Sequence, residues 1–130
     1  MAVKSICGVI LVTDDVEGLA RFYREGLGLT FEREDHDGLD LHYGVDIGQV
    51  HFAIHPPSNF GGHGPGRATP VAFAVTSLDE HLPTVQSLGA TIVTAPHDEG
   101  YGMVVTCADP KGNLFELVEL THEFGASDEY

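Results

Sequence analysis

The feature that most constrains this chain is an internal repeat. Displaced by 62 positions, Val9-Ile10-Leu11 falls on Val71-Ala72-Phe73, and Asp15-Val16-Glu17 on Ser77-Leu78-Asp79. Displaced by 61, Leu27-Gly28-Leu29-Thr30-Phe31 falls on Leu88-Gly89-Ala90-Thr91-Ile92. Displaced by 63, His51-Phe52-Ala53-Ile54 falls on Leu114-Phe115-Glu116-Leu117. The offsets drift only at loops and helix ends, where insertions are tolerated. Matches kept in order along both halves read as a duplication.

Each half shows the same succession of patterns. In the first, the apolar run 6–13 predicts a buried strand. Val16, Leu19, Ala20, Phe22, Tyr23 and Leu27 then form a helical stripe, which places Phe22 and Tyr23 in the core. Asp14 with Glu17 resembles a capping box, and Gly26 or Gly28 can end the helix. Strands are expected at 29–34, 39–45 and 49–55, with turns over 35–38 and 44–48. In the second half, 71–76 reads as a strand. A helix follows with Ser77 and Glu80 as its capping pair and Leu78, Leu82, Val85 and Leu88 on one face. Pro83 suits only a first helical turn, so the helix should start late or bend. Strands are expected at 90–94, 103–107 and 113–120, with a loop over 95–102 and a turn at Asp109-Pro110-Lys111-Gly112.

The expected organisation is therefore one domain, residues 1–130. A first βαβββ module spans 4–55 and a second spans 71–121. The Gly/Pro-rich stretch 56–70 has no regular element and reads as a linker or flap in which His63 is exposed. Residues 122–130 form an acidic tail. The class is α+β: two tandem βαβββ modules forming a curved mixed sheet cup with outer helices. A cup of this kind suits a small molecule, although fold alone gives no activity.

Charge narrows the partners. Six basic and twenty acidic residues leave a formal charge of -14. Nucleic acid is excluded as a partner because phosphate contacts need a basic patch. No apolar run is long enough to span a membrane, and the N-terminus lacks the layout of a signal peptide. Cys7 and Cys107 make neither a disulfide framework nor a CxxC pair. Both lie in apolar runs and are expected to be buried, reduced thiols in a cytoplasmic protein.

Phe22-Tyr23 with Leu27-Gly28, and Asp109-Pro110 with Gly112-Asn113 and Glu116-Leu117, give the chain a further resemblance. Over residues 4 to 121 it resembles the vicinal oxygen chelate superfamily. That group includes glyoxalase I, bleomycin-resistance proteins, fosfomycin-resistance enzymes, extradiol dioxygenases and methylmalonyl-CoA epimerase. The resemblance implies a divalent metal held at the start of each module's first strand and within its last strand. Those positions are Gly8, Ala53, Pro70 and Glu116, and only Glu116 carries a donor. A single carboxylate does not make a tight site, which needs three or four protein ligands. The expectation is no cofactor. The alternative is a relocated divalent site joining Glu116 to His51 or His55. Those two histidines share a strand face with Ala53, but they lie four residues apart, roughly 13 Å along the strand, and cannot chelate one ion together.

The candidate ligand-binding residues are His51, Ala53, His55, Tyr101 and Glu116, with Glu116 also the candidate catalytic base. An apolar cup would make that carboxylate more basic. The first expectation is a metal-free, bleomycin-resistance-like protein that binds a small organic molecule in the cup. The alternative is a glyoxalase-like lyase or isomerase using Glu116 as base. A third expectation is a vestigial cup kept for assembly. By resemblance, and because open-edged sheets need neighbours, a homodimer is expected.

Overall fold

The computed structural model describes residues 6–35, 38–60, 62 and 70–121. His63, most of the expected flap and the acidic tail after Thr121 lie outside them. The chain divides near residue 66 into two compact units, each taken by itself below.

The first unit contains β1 (Gly8–Val12), α1 (Val16–Leu27), β2 (Glu32–Glu34), β3 (His42–Ile47), β4 (Val50–His55) and the 3-10 turn η1 (Pro57–Phe60). Its sheet runs β1-β4-β3-β2. β1 is parallel to β4, and the other pairs are antiparallel. Tyr23 and Phe31 both meet Phe52 edge-on or tilted, with centroids 5.7 and 5.6 Å apart. The even-numbered side chains of β4 therefore face the helix layer, and His51, Ala53 and His55 alternate to the other face. The β3–β4 hairpin turns at Gly48, whose φ of 58° suits glycine in the left-handed region.

The second unit repeats the plan with β5 (Val71–Ala74), α2 (Leu78–Ser87), β6 (Thr91–Asp98), β7 (Gly102–Ala108) and β8 (Leu114–Leu120). Its order, β5-β8-β7-β6, is the same. The duplication extends to register. Ala53 lies between Ile10 and Gly44, and Glu116 between Ala72 and Thr106. Phe115 and Leu117 are fully buried. The Glu119 carboxylate on the same face accepts from the Leu78 N–H at 2.9 Å. Odd positions of β8 thus face α2, and Glu116 faces the other way.

Several expectations need correction. β1 is not a buried strand: as an edge strand it buries only Leu11, and Ile10 is 47% exposed. Cys7 precedes it and is exposed, while Cys107 is buried as expected. Burial raises the Cys107 thiol pKa, which keeps it protonated. The α1 N-cap is Asp15, whose carboxylate accepts from Gly18 N–H at 3.0 Å. Gly28 ends that helix with a φ of 72°. Ser77 caps α2 as expected, accepting from Glu80 N–H, but the helix starts at once and holds Pro83 inside it. β6 runs on to Asp98 through the expected loop, with register shifts on either side of Thr94. A short regular turn, η1, opens the 56–70 stretch.

Candidate functional site

The exposed chemistry of the first unit collects on the sheet face away from α1. Register places His42 and Asp46 of β3 on that face with Gly44, beside Ala53 and His51 of β4. Glu32 and Glu34 of β2 pair with Gly44 and His42. These strands fold this way because one face alternates apolar residues against the helix and the other carries polar ones.

His51 is the centre of the cluster. Its Nδ1 lies 2.7 Å from Asp46 Oδ1, and its Nε2 lies 3.1 Å from Glu34 Oε1. A carboxylate only accepts, so both contacts are hydrogen bonds when the ring carries two protons. The Asp46 hydrogen bond is the main reason that the His51 pKa is raised. Partial desolvation opposes it, and the Glu34 charge adds to it. The two carboxylates thus favour the protonated form of His51.

Gly44 makes the clamp fit. A β-carbon there would collide with Glu34 Oε1 and come within 2.7 Å of His51 Nε2. The two side chains lie across a strand position that has no side chain. A cavity of about 300 Å³ opens beside them, lined by Thr30, Glu32, Glu34, Asp46 and His51 together with Gly44 and Val45.

A second layer lies behind. His42 and His55 are buried and stacked, with centroids 3.9 Å apart and planes 15° from parallel. His42 Nδ1 is 3.0 Å from the Asp40 carbonyl and therefore carries its proton on that nitrogen. Its Nε2 is 3.8 Å from Glu34 Oε1. Asn59 of η1 accepts from Asp40 N–H with Oδ1 at 2.7 Å, which fixes its amide orientation. Its Nδ2 then donates to His55 Nδ1 at 3.0 Å, and that nitrogen is unprotonated. The buried rings anchor η1 to β3 and support Glu34 from below.

In the second unit Glu116 is half-buried and accepts from Thr106 Oγ1 at 3.3 Å. His97 pairs with Val104 in register and shares that face. Its pKa is raised by its hydrogen bond to the Ala95 carbonyl and then by Glu99, with a smaller contribution from Glu116. Tyr101 sits in the β6–β7 turn, where its carbonyl accepts from Thr121 N–H. Gly102 pairs with Leu120 and Thr106 with Glu116, so Tyr101 stands more than four strand positions from the carboxylate, over about 13 Å.

Of the residues expected from sequence, the structure places His51, Ala53 and His55 on one face of the first sheet. Glu116 and Tyr101 belong to the second unit and are well apart there. Sequence reasoning missed Glu34, His42, Gly44, Asp46 and Asn59. Period-two alternation in 39–45 and 29–34 already put His42 with Gly44 and Glu32 with Glu34; the missing signal was the hairpin register across Gly48.

The donor set does not fit the metal implied by the resemblance. Gly8, Ala53 and Pro70 have no ligating atom. Among the described residues, no group of three or more His, Cys, Asp or Glu side chains is arranged to hold a metal ion. No helix among them is long and apolar enough to cross a membrane.

Similar proteins agree with the fold. A family model described as the glyoxalase/bleomycin resistance protein/dioxygenase superfamily matches residues 5–117. A superfamily member from Sphaerobacter thermophilus is 26% identical, with a TM-score of 0.70, covering 92% of this chain and 99% of that one. A family enzyme from Burkholderia phytofirmans is 19% identical, with a TM-score of 0.73, covering 90% and 99%. TnmS3, an antibiotic binding protein from a Streptomyces species, is 18% identical, with a TM-score of 0.72, covering 93% and 99%. No curated protein matches the sequence significantly. With the family model spanning most of its length and the paired βαβββ modules in place, the chain belongs to the glyoxalase/bleomycin resistance protein/dioxygenase superfamily.

Proposed function

We propose that this protein binds a small organic molecule without a metal, on the sheet face of the first module that carries His51. The observation that carries this reading is the clamp of His51 between Asp46 and Glu34, seated over Gly44 beside a cavity of about 300 Å³. Such a volume is at the low end for small-molecule sites. Three carboxylates line it against one histidine, so a ligand carrying a positive charge is favoured. Ala53 pairs with Gly44 on the same face, buried and outside the cavity lining, and His55 acts through the buried stack rather than by contact. An antibiotic binding protein among the structural neighbours accords with a binding role. A homodimer in the cytoplasm is part of the same proposal.

The competing reading, a glyoxalase-like lyase or isomerase with Glu116 as base, has one observation in its favour. Glu116 is half-buried, hydrogen-bonded to Thr106 and electrostatically linked to His97. Tyr101 would then serve ligand binding in the second module.

Thermal-shift and calorimetric screening of organic cations and aromatic metabolites against wild type and Gly44→Ala separates the two. The binding reading expects ligands lost on Gly44→Ala and retained by Glu116→Gln. Turnover of a bound compound abolished by Glu116→Gln would instead establish the enzyme.

A further inference from the structure

When the His51 ring is neutral, only one of its two carboxylate contacts holds a proton. The shorter contact, Nδ1 to Asp46 Oδ1 at 2.7 Å, keeps it. Nε2 then turns a lone pair toward Glu34 Oε1 at 3.1 Å. Two acceptors face each other at that separation, and a donor with two N–H groups placed beside both satisfies the pair. Both are within reach of a ligand: the His51 side chain is 44% exposed and that of Glu34 23%. Gly44 beneath them has no side chain to fill the gap.

The surroundings are acidic. Glu32 of β2 and Asp46 of β3 line the same cavity, and no Lys or Arg does. His42 Nε2, on a buried ring, is farther from Glu34 Oε1, at 3.8 Å. β1 places Gly8 beside His51 and adds no titratable side chain there.

We propose that the His51 face takes a primary ammonium cation in exchange for the proton on His51 Nε2. One ammonium N–H donates to the Nε2 lone pair and another to Glu34 Oε1, with the Glu32 carboxylate adding negative charge nearby. The proton leaves to solvent, and Nδ1–H stays on Asp46. The protonated ring and the ammonium compete for Glu34, so affinity for the cation rises with pH through the His51 titration. By linkage, the bound cation lowers the His51 pKa. A quaternary ammonium has the same charge but no N–H and does not bridge the pair. The exchange rests on the binding reading above and adds to it the ligand class and its pH control.

Benzylamine and benzyltrimethylammonium are titrated by calorimetry over about pH 5 to 8, where histidine changes charge, in buffers of different ionisation enthalpy. Benzylamine, like a lysine amine, stays an ammonium throughout. It should release close to one proton per molecule bound, about the limit for a single coupled group, at the acidic end. Its affinity should rise by up to about tenfold per pH unit and level off above the His51 midpoint. Benzyltrimethylammonium should bind about tenfold or more weakly. In Glu34→Gln, proton release should fall and benzylamine should bind about tenfold more weakly. A benzylamine affinity independent of pH with no proton released, or equal affinity for the two compounds, would overturn the exchange and leave a binding site on this face. Binding of neither compound at any pH would overturn it together with the cation preference on which it rests.

Discussion

His51 binds its proton more tightly because two carboxylates reach its two ring nitrogens. Its pKa is raised in the folded chain, so the clamp stabilises the protein fully below the unfolded value of about 6.5. That contribution is lost as pH rises through the raised value. Because His51 and Asp46 are substantially exposed, the effect is small, under about 1 kcal/mol. Asp46→Asn removes the largest cause. The stability difference between wild type and Asp46→Asn should be present in mildly acidic buffer and vanish in alkaline buffer, as read by chemical unfolding across pH. Gly44→Ala acts differently. Its β-carbon meets the ends of flexible side chains, so the fold should survive while Glu34 and His51 are pushed apart. The His51 imidazole pKa should fall back toward the ordinary value, measured by NMR titration. Asn59→Ala removes the hydrogen bonds that join η1 to His55 and to the Asp40 backbone. It should cost about 1–3 kcal/mol in unfolding free energy.

The existence and order of the elements were legible where apolar periodicity was strong, but some bounds were not: β3 runs to Ile47 through the expected 44–48 turn, and β6 to Asp98 through the expected 95–102 loop. Both helices, the last three strands of each module and the Ser77 cap follow from stripes, alternation and capping residues. Burial was less legible, because it depends on neighbours. Ile6–Thr13 looks like a core strand by composition, yet β1 has a strand on one side only, which leaves Ile10 and Cys7 exposed. Pro83 shows the same limit: propensity argues against it, but tertiary packing of Leu78 and Val85 holds the helix through it. Two substitutions test the element-level picture. Ser77→Ala should destabilise by about 1 kcal/mol. Gly102→Ala should cost about 1–3 kcal/mol. Its β-carbon would lie 2.5 Å from the Glu119 carbonyl and 2.9 Å from Leu120 Cα, and this backbone has nowhere to move.

At the scale of the whole molecule, the repeat and the family were visible in the sequence, and the placement of function was not. Eight histidines drew attention to metal, but three of the four positions where the resemblance puts ligands carry none. What replaced them depends on hairpin register: Asp46 faces His51 only because Ile47 pairs with Val50 across Gly48. Sequence offsets alone reveal equivalence between copies, not which side chains converge within one copy. The expected homodimer belongs to this scale too. Sedimentation at low protein concentration should give twice the monomer mass, and a monomer only would contradict it. Metal analysis of protein purified without a tag should find no stoichiometric zinc, nickel, iron or manganese. A near-stoichiometric metal lost on Glu116→Ala would restore a metal-dependent enzyme.

The most direct measurement is the imidazole 15N NMR spectrum of His51 during titration with a ligand from the cation screen. The clamp predicts that the two ring-nitrogen signals shift saturably as the ligand binds, and that this response is lost in Gly44→Ala. Ligand saturation that leaves its ring signals unchanged would contradict a binding site centred on this residue.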